Sequence, residues 1–209
     1  MTKIQNSRIR GIIFDLGGVI ITENVTSDFY AYVAKTLNIP QKKLKNVMAE
    51  EVQLLSRGEE ADIEFWKRVC KLLGVDCPAN NVLSQLFTKT YGINVVVDRD
   101  MEKFIQKLFN KYKLGLLSNT IEVHANVFKK FDVLKYFNPV ILSFEVGLIK
   151  PYREIYELAI EKMLLHANEL LFIDDREENI KGAKEAGIKG ILYKNFEQFK
   201  KELSKYMIL

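Results

Sequence analysis

The chain has 209 residues, 48% of them hydrophobic and 28% charged, the make-up of a soluble globular protein with one core or a core plus a modest insertion. Its formal charge of +4 comes from scattered lysines (Lys42, Lys43 and Lys45; Lys111 and Lys113; Lys200, Lys201 and Lys205), which read as solvated helix faces. That excludes the concentrated basic face of a nucleic-acid binder.

Met1 to Arg10 is polar, and the apolar run that follows is broken by Asp15, a pattern of neither a signal peptide nor a membrane span. A cytoplasmic setting with no membrane partner is expected. The first strand is predicted at Arg10–Phe14. A bare carboxylate inside a strand is costly, so Asp15 is placed at the strand's carboxyl end facing a cleft, with Gly17 and Gly18 turning the backbone. In open α/β sheets that edge binds ligands, which makes Asp15 a candidate nucleophile or metal ligand by position alone.

The interval Ile21–Val95 is far longer than a loop within a compact domain. It reads as helices over Ser27–Leu37, Pro40–Leu55, Asp62–Leu73 and Asn80–Tyr91, with Pro40 in a first turn and Gly58, Gly74 and Pro78 at the turns. This block is predicted to be a helical cap over the sheet edge. Phe65 and Trp66 fall in its apolar stripe as core residues. Cys70 joins them as a filler, since the Cys70–Cys77 spacing fits neither a redox pair nor a zinc site.

Beyond the cap, helices at Asp98–Tyr112, Ile121–Phe131, Tyr152–Leu165, Glu177–Gly187 and Asn195–Tyr206 alternate with strands. The strands are Leu114–Leu117, Val140–Ser143, Leu170–Ile173 and Gly190–Tyr193. The alternation predicts an α/β, Rossmann-like parallel sheet with helices on both faces. Residues 1–20 and 96–209 form the core, and residues 21–95 the inserted cap.

Polar clusters follow four of these runs: Asp15, Ser118-Asn119-Thr120, Gly147 to Pro151, and Asp174-Asp175. A parallel sheet brings all four to one edge. The hydroxyl and amide of Ser118 and Asn119, with main-chain N–H groups before a helix, suit an anion; Ser118 or Thr120 as a simple helix cap is compatible with that. His124, early in the next helix, either faces the cleft and touches substrate or lies on the surface. His166 reads as surface.

With these segments the chain resembles the haloacid dehalogenase superfamily, in its phosphatase branch with a helical cap after the first strand. FDLGGVI, LLSNT, GLIKP and FIDDREENIKGAKEAG look like its four motifs. It is most similar to small sugar-phosphate phosphatases and to the phosphatase half of epoxide hydrolases. The resemblance implies a magnesium-dependent phosphatase acting on a small phosphorylated metabolite through an aspartyl-phosphate at Asp15. A carboxylate attacking phosphorus splits one hard step into two. Mg2+ would be held by Asp15, the Gly17 carbonyl and Asp175, with Asp174 behind them and Asn179 orienting the acids. Such an oxygen-only set suits that ion. Ser118 and Asn119 would bind the phosphate, and Lys150 would supply positive charge to Asp15 and the phosphate.

One position departs from the pattern. Most phosphatases of the superfamily carry an acid two residues after the nucleophile, and here that residue is Gly17. General acid–base catalysis contributes roughly a hundred- to ten-thousand-fold. Three readings stay open: a phosphatase for substrates with good leaving groups, a noncatalytic phospho-ligand-binding regulator, and a metal-independent haloacid dehalogenase. The Asp174-Asp175 pair speaks against the last.

Overall fold

The structure, a computed structural model, describes residues 8–23, 26–79 and 81–206. The first strand, β1 (Gly11–Phe14), is followed by β2 (Ile21–Glu23). Four helices come next: α1 (Thr26–Thr36), α2 (Gln41–Ser56), α3 (Asp62–Leu73) and α4 (Val82–Asn94). Then follow β3 (Val95–Val97), α5 (Arg99–Phe109), β4 (Lys113–Ser118), α6 (Glu122–Phe128), β5 (Val140–Leu142) and the single turn α7 (Ser143–Val146). The chain closes with α8 (Arg153–Met163), β6 (Leu170–Asp174), α9 (Glu177–Glu185), β7 (Lys189–Leu192) and α10 (Phe196–Leu203).

Strands β1, β4, β5, β6 and β7 form one parallel sheet in the order β5-β4-β1-β6-β7. Strand β1 is central and buried along its whole length, which is why it reads as an unbroken apolar run rather than an alternating one. Its side chains still part to opposite faces. Ile12 and Phe14 join a core with α5, α6 and α10, whereas Ile13 joins a second core with Ile155, Tyr156 and Met163 of α8 and Ile180 of α9. The sheet is thus covered on both faces, as the alternation of strands and helices required.

The helical block departs from expectation at its roots. The interval Ile21–Val95 was read as four helices with no strand, but its ends join an antiparallel ribbon, with Ile21 opposite Val97 and Glu23 opposite Val95. The predicted helix start at Asn80 lies outside the described residues, as do Met1–Ser7, and α4 runs on to Asn94. Pro40 sits one position before α2 rather than in its first turn. Phe65, Trp66 and Cys70 are buried as expected, and Cys77 is exposed.

Helix ends follow their caps. Asp98 accepts from the backbone N–H of Asp100 and of Met101, so α5 starts one residue later than predicted. Asn195 accepts from the N–H of Gln198 and likewise precedes α10. His166 is exposed, as expected; its N–H donates to Glu169 Oε2 at 3.0 Å and its main-chain carbonyl accepts the Glu169 N–H at 2.9 Å. Among the described residues no helix is long and apolar enough to cross a membrane.

Candidate active site

The carboxyl edge of the sheet gathers the four polar clusters around one cleft with a volume of about 460 Å3. Asp15 follows β1 directly, and its N–H is bonded to the Ile173 carbonyl of β6 at 2.8 Å, so the backbone is fixed before the side chain leaves the sheet. The residue is 7% exposed, at the floor of the cleft. Gly18 then takes a φ of +72°, and a Cβ there would collide with the Asp175 carboxylate. Both the turn and the close approach therefore need glycine.

Lys150 reaches the same floor from the segment after α7. Its ammonium is 2.7 Å from Asp15 Oδ1, 2.7 Å from Asp174 Oδ2 and 3.0 Å from the Leu117 carbonyl oxygen. An ammonium has three N–H donors, and these three acceptors use them all. Burial alone would lower the Lys150 pKa, but the two carboxylates outweigh it and raise it. Asp15 is pushed up to about 7, first by burial and further by the Asp174 charge, with Lys150 opposing. Asp175 is raised by burial and by Asp174.

Asp174 is fully buried and saturated. Oδ1 accepts from the Arg176 N–H at 2.8 Å, Oδ2 accepts from Lys150, and both accept from Asn179 Nδ2 at 3.0 Å. Asn179, in the first turn of α9, is buried, and its own carbonyl accepts the Tyr156 hydroxyl at 2.8 Å. Asp175 is exposed, with its carboxylate toward the cleft beside Gly18. Oxygen atoms of Asp15, Asp174 and Asp175 lie within 4.8 Å of one another. That all-oxygen set, with Gly17 in the same cleft wall, fits a hard divalent cation.

Ser118 ends β4 and is 4% exposed. Asn119 lines the cleft, but its carboxamide is engaged on Lys150: Nδ2 donates to the Lys150 carbonyl and Oδ1 accepts the Lys150 N–H, both at 2.8 Å. The expected helix start at Ile121 shifts, because α6 begins at Glu122 with Ile121 as its cap and no side-chain capping bond. Neither Ser118 nor Thr120 caps it. The Thr120 N–H goes to Ser143 Oγ at 2.9 Å.

His124 lies in the cleft wall and is partly buried. Its ring stacks on Tyr91 of α4 at 3.7 Å and 5° and meets Phe87 edge-on at 4.8 Å. Nε2 is buried without a hydrogen-bond partner, and burial lowers the pKa to about 3, so the ring is neutral. The aromatic contacts run on from Phe87 to Phe29 and Trp66, linking α6 to the interior of the helical block. At the other end of the block, Gly58 closes on the Phe144 carbonyl and Arg57 lies over the Tyr152 ring at 5.5 Å.

Several lining residues had no signal in the sequence. Val52 and Ser56 of α2 and Tyr91 of α4 reach the cleft only through the folding-back of the helical block. Ser143 was read as the end of a strand, yet its hydroxyl is fully buried and spent on Thr120.

Comparison with known proteins agrees with this arrangement. The chain is 27% identical to a D-ribitol-5-phosphate phosphatase of Bacteroides thetaiotaomicron, over 94% of this chain and 97% of that one. It is 24% identical to a phosphorylated carbohydrates phosphatase of Thermotoga maritima, over 88% and 84%. A solved HAD family enzyme of B. thetaiotaomicron, in complex with magnesium and inorganic phosphate, superposes with a TM-score of 0.72 at 25% identity, over 91% of this chain and 98% of that one. The family described as haloacid dehalogenase-like hydrolase matches residues 9–187, and with the sheet order and the buried Asp15–Lys150–Asp174 triad the chain belongs to that family.

Proposed function

We propose that the protein is a magnesium-dependent phosphatase that hydrolyses a small phosphorylated polyol or sugar through an aspartyl-phosphate at Asp15. The observation that carries this reading is the buried Asp15 carboxylate, with Oδ1 bonded to Lys150 and Oδ2 free of that bond. In this reading Oδ2 attacks phosphorus, the bond to the leaving oxygen breaks, and water then hydrolyses the acyl phosphate. Lys150 favours the ionised form of Asp15 against burial and holds it beside Asp174, two like charges that would otherwise repel.

Asp15, Asp175 and the Gly17 carbonyl would hold Mg2+, because Asp174 has its oxygens committed to Lys150, Arg176 and Asn179. The ion would supply positive charge to offset the repulsion between the carboxylate and an anionic phosphate. Ser118 contacts the phosphate. Helices α1–α4 act as the cap, with Val52, Ser56 and Tyr91 closing the cleft opposite Ile121, His124 and Phe128. The wall beyond the phosphate end mixes the apolar Val52, Ile121 and Phe128 with Ser56, Tyr91 and a neutral imidazole and carries no charged side chain, which suits an uncharged hydroxylated leaving group. The curated relatives that act on ribitol phosphate and phosphorylated carbohydrates support that class.

Gly17 brings no side chain to protonate the leaving oxygen, so the proton comes from solvent or substrate in this reading. The same glycine favours a second reading, a phospho-ligand binder without turnover. A panel of sugar and polyol phosphates assayed with Mg2+ separates the two. Turnover that vanishes on chelation and in Asp15→Asn supports the phosphatase. Phosphate binding with no turnover on any substrate refutes it.

A further inference from the structure

The β4–β5 ladder ends at Ser118 paired with Leu142, because the chain turns into α7 at Ser143. Beyond that point two side chains continue the pairing. Ser143 Oγ accepts the Thr120 N–H at 2.9 Å and donates to the Thr120 carbonyl at 3.0 Å. Asn119 does the same toward Lys150, accepting its N–H and donating to its carbonyl, each at 2.8 Å. Two adjacent residues after β4 are thus each closed in a reciprocal pair with the segment after β5. We propose that Asn119 and Ser143 are positioning residues: their two clamps fix the backbone from which Lys150 delivers its ammonium between Asp15 and Asp174.

Lysine carries its charge on a flexible four-carbon stem, so a fixed ammonium needs a fixed base as well as acceptors at the tip. The acceptors are Asp15, Asp174 and the Leu117 carbonyl. At the base, Asn119 holds both polar groups of the Lys150 backbone. Ser143, with no exposed surface, locks Thr120 and so fixes the Asn119 backbone next to it. Removing the Ser143 clamp orphans a buried N–H and C=O of Thr120, and removing the Asn119 clamp takes from the Lys150 backbone the two bonds that fix it at the cleft wall. The Asn119 carboxamide, expected to bind substrate, is in this account oriented by Lys150 and acts through it. The catalytic consequence rests on the phosphatase reading, whereas the positional one does not.

The test uses the full chain with Mg2+ and p-nitrophenyl phosphate, and compares Asn119→Ala, Ser143→Ala, Lys150→Met and the Asn119→Ala/Lys150→Met double variant. Asn119→Ala and Ser143→Ala are expected to lower kcat by about tenfold to a hundredfold while KM moves less than about twofold. In the Lys150→Met background, Asn119→Ala is expected to cost less than about threefold more, since the residue it positions is gone. A second readout needs no turnover: acylation of Lys150 by an amine reagent, followed by peptide mass analysis. Each clamp variant is expected to speed it by at least about fivefold through local opening, with melting curves confirming that the variants fold. A rise in KM at unchanged kcat, fully additive losses with Lys150→Met, or unchanged acylation overturns the proposal. If the wild-type protein turns over no phosphate ester, the phosphatase reading fails, and acylation alone decides the clamp.

Discussion

Replacing Lys150 with methionine keeps the stem's bulk and removes the charge between two buried carboxylates. In the intact site the ammonium side chain is 1% exposed, with Asp15 and Asp174 side chains at 10% and 0%. A unit pair about 4 Å apart at an effective dielectric of about 20 is worth about 4 kcal/mol. There are two such pairs, offset by several kcal/mol for desolvating the ammonium, and removing one partner of a buried pair costs about 3–5 kcal/mol overall. That is the stability loss expected for Lys150→Met at pH 8, read from urea unfolding followed by circular dichroism in the presence of a chelator. The sign of its pH dependence follows from Asp15. Its folded pKa of about 7 already lies above the ordinary value of 3.8, and loss of Lys150, which lowers it, moves it higher. The folded variant then binds more protons than the unfolded chain from mildly acidic pH to above neutrality, so its stability falls as pH rises through that window. The deficit against wild type should therefore shrink between pH 8 and pH 5.5. A loss under about 1 kcal/mol at pH 8, or one that grows on acidification, would refute the role assigned to the triad.

His124, with its pKa lowered to about 3 against an ordinary 6.5, should show no imidazole titration by NMR between pH 5 and pH 8. The unfolded chain takes up that proton and the folded one does not, so stability is lost as pH falls below 6.5, and His124→Phe should flatten this loss in unfolding curves. Gly58 and Gly74 have φ values of +66° and +70°, but only Gly58 has backbone against its missing Cβ, whereas Gly74 has nothing within 4 Å. Gly74→Ala should cost about 1–2 kcal/mol for its left-handed backbone. Gly58→Ala should cost clearly more in the same unfolding assay and speed proteolysis near Arg57. Magnesium at a hundred times its dissociation constant should stabilise the protein by about 2.7 kcal/mol in thermal unfolding, and Asp175→Asn should remove most of that gain.

The sheet and its carboxyl edge were legible because buried parallel strands are written as short apolar runs, and four of the five runs here are followed by a polar cluster. Asp15, Ser118, Lys150 and Asp174 could be located on one edge without knowing any distance. The ribbon of β2 and β3 was not legible: each strand has three residues, and α1–α4 lie between them, so no turn residues announce the pairing. Ser143 was misread because it directly follows an apolar run, and its partner Thr120 lies beyond the end of β4, far off in sequence. The Asn119 carboxamide was read for its chemistry, which suits an anion, but its actual partners are backbone atoms of a residue far along the chain. His124 was left between cleft and surface because nothing local reveals that Tyr91 covers its face. In each case the local pattern named the residue type and tertiary contact decided its use.

Placing β1 at the centre of the sheet has a consequence for how the molecule comes into being. The first strand to leave the ribosome has neither neighbour available: β4 is made only after the whole helical block, and β6 later still. Pairings of such large sequence separation form slowly, and until they do an apolar strand with two open edges is exposed. Asp15 meets its cation only once Lys150 has been made, and the second carboxylate of the triad only once Asp174 has. The helical block, whose contacts are mostly local, is free to fold first and wait. Synthesis therefore lays down Asp15 well before Lys150 and Asp174, so a chain stalled between them would carry the carboxylate without the two groups it meets in the folded site.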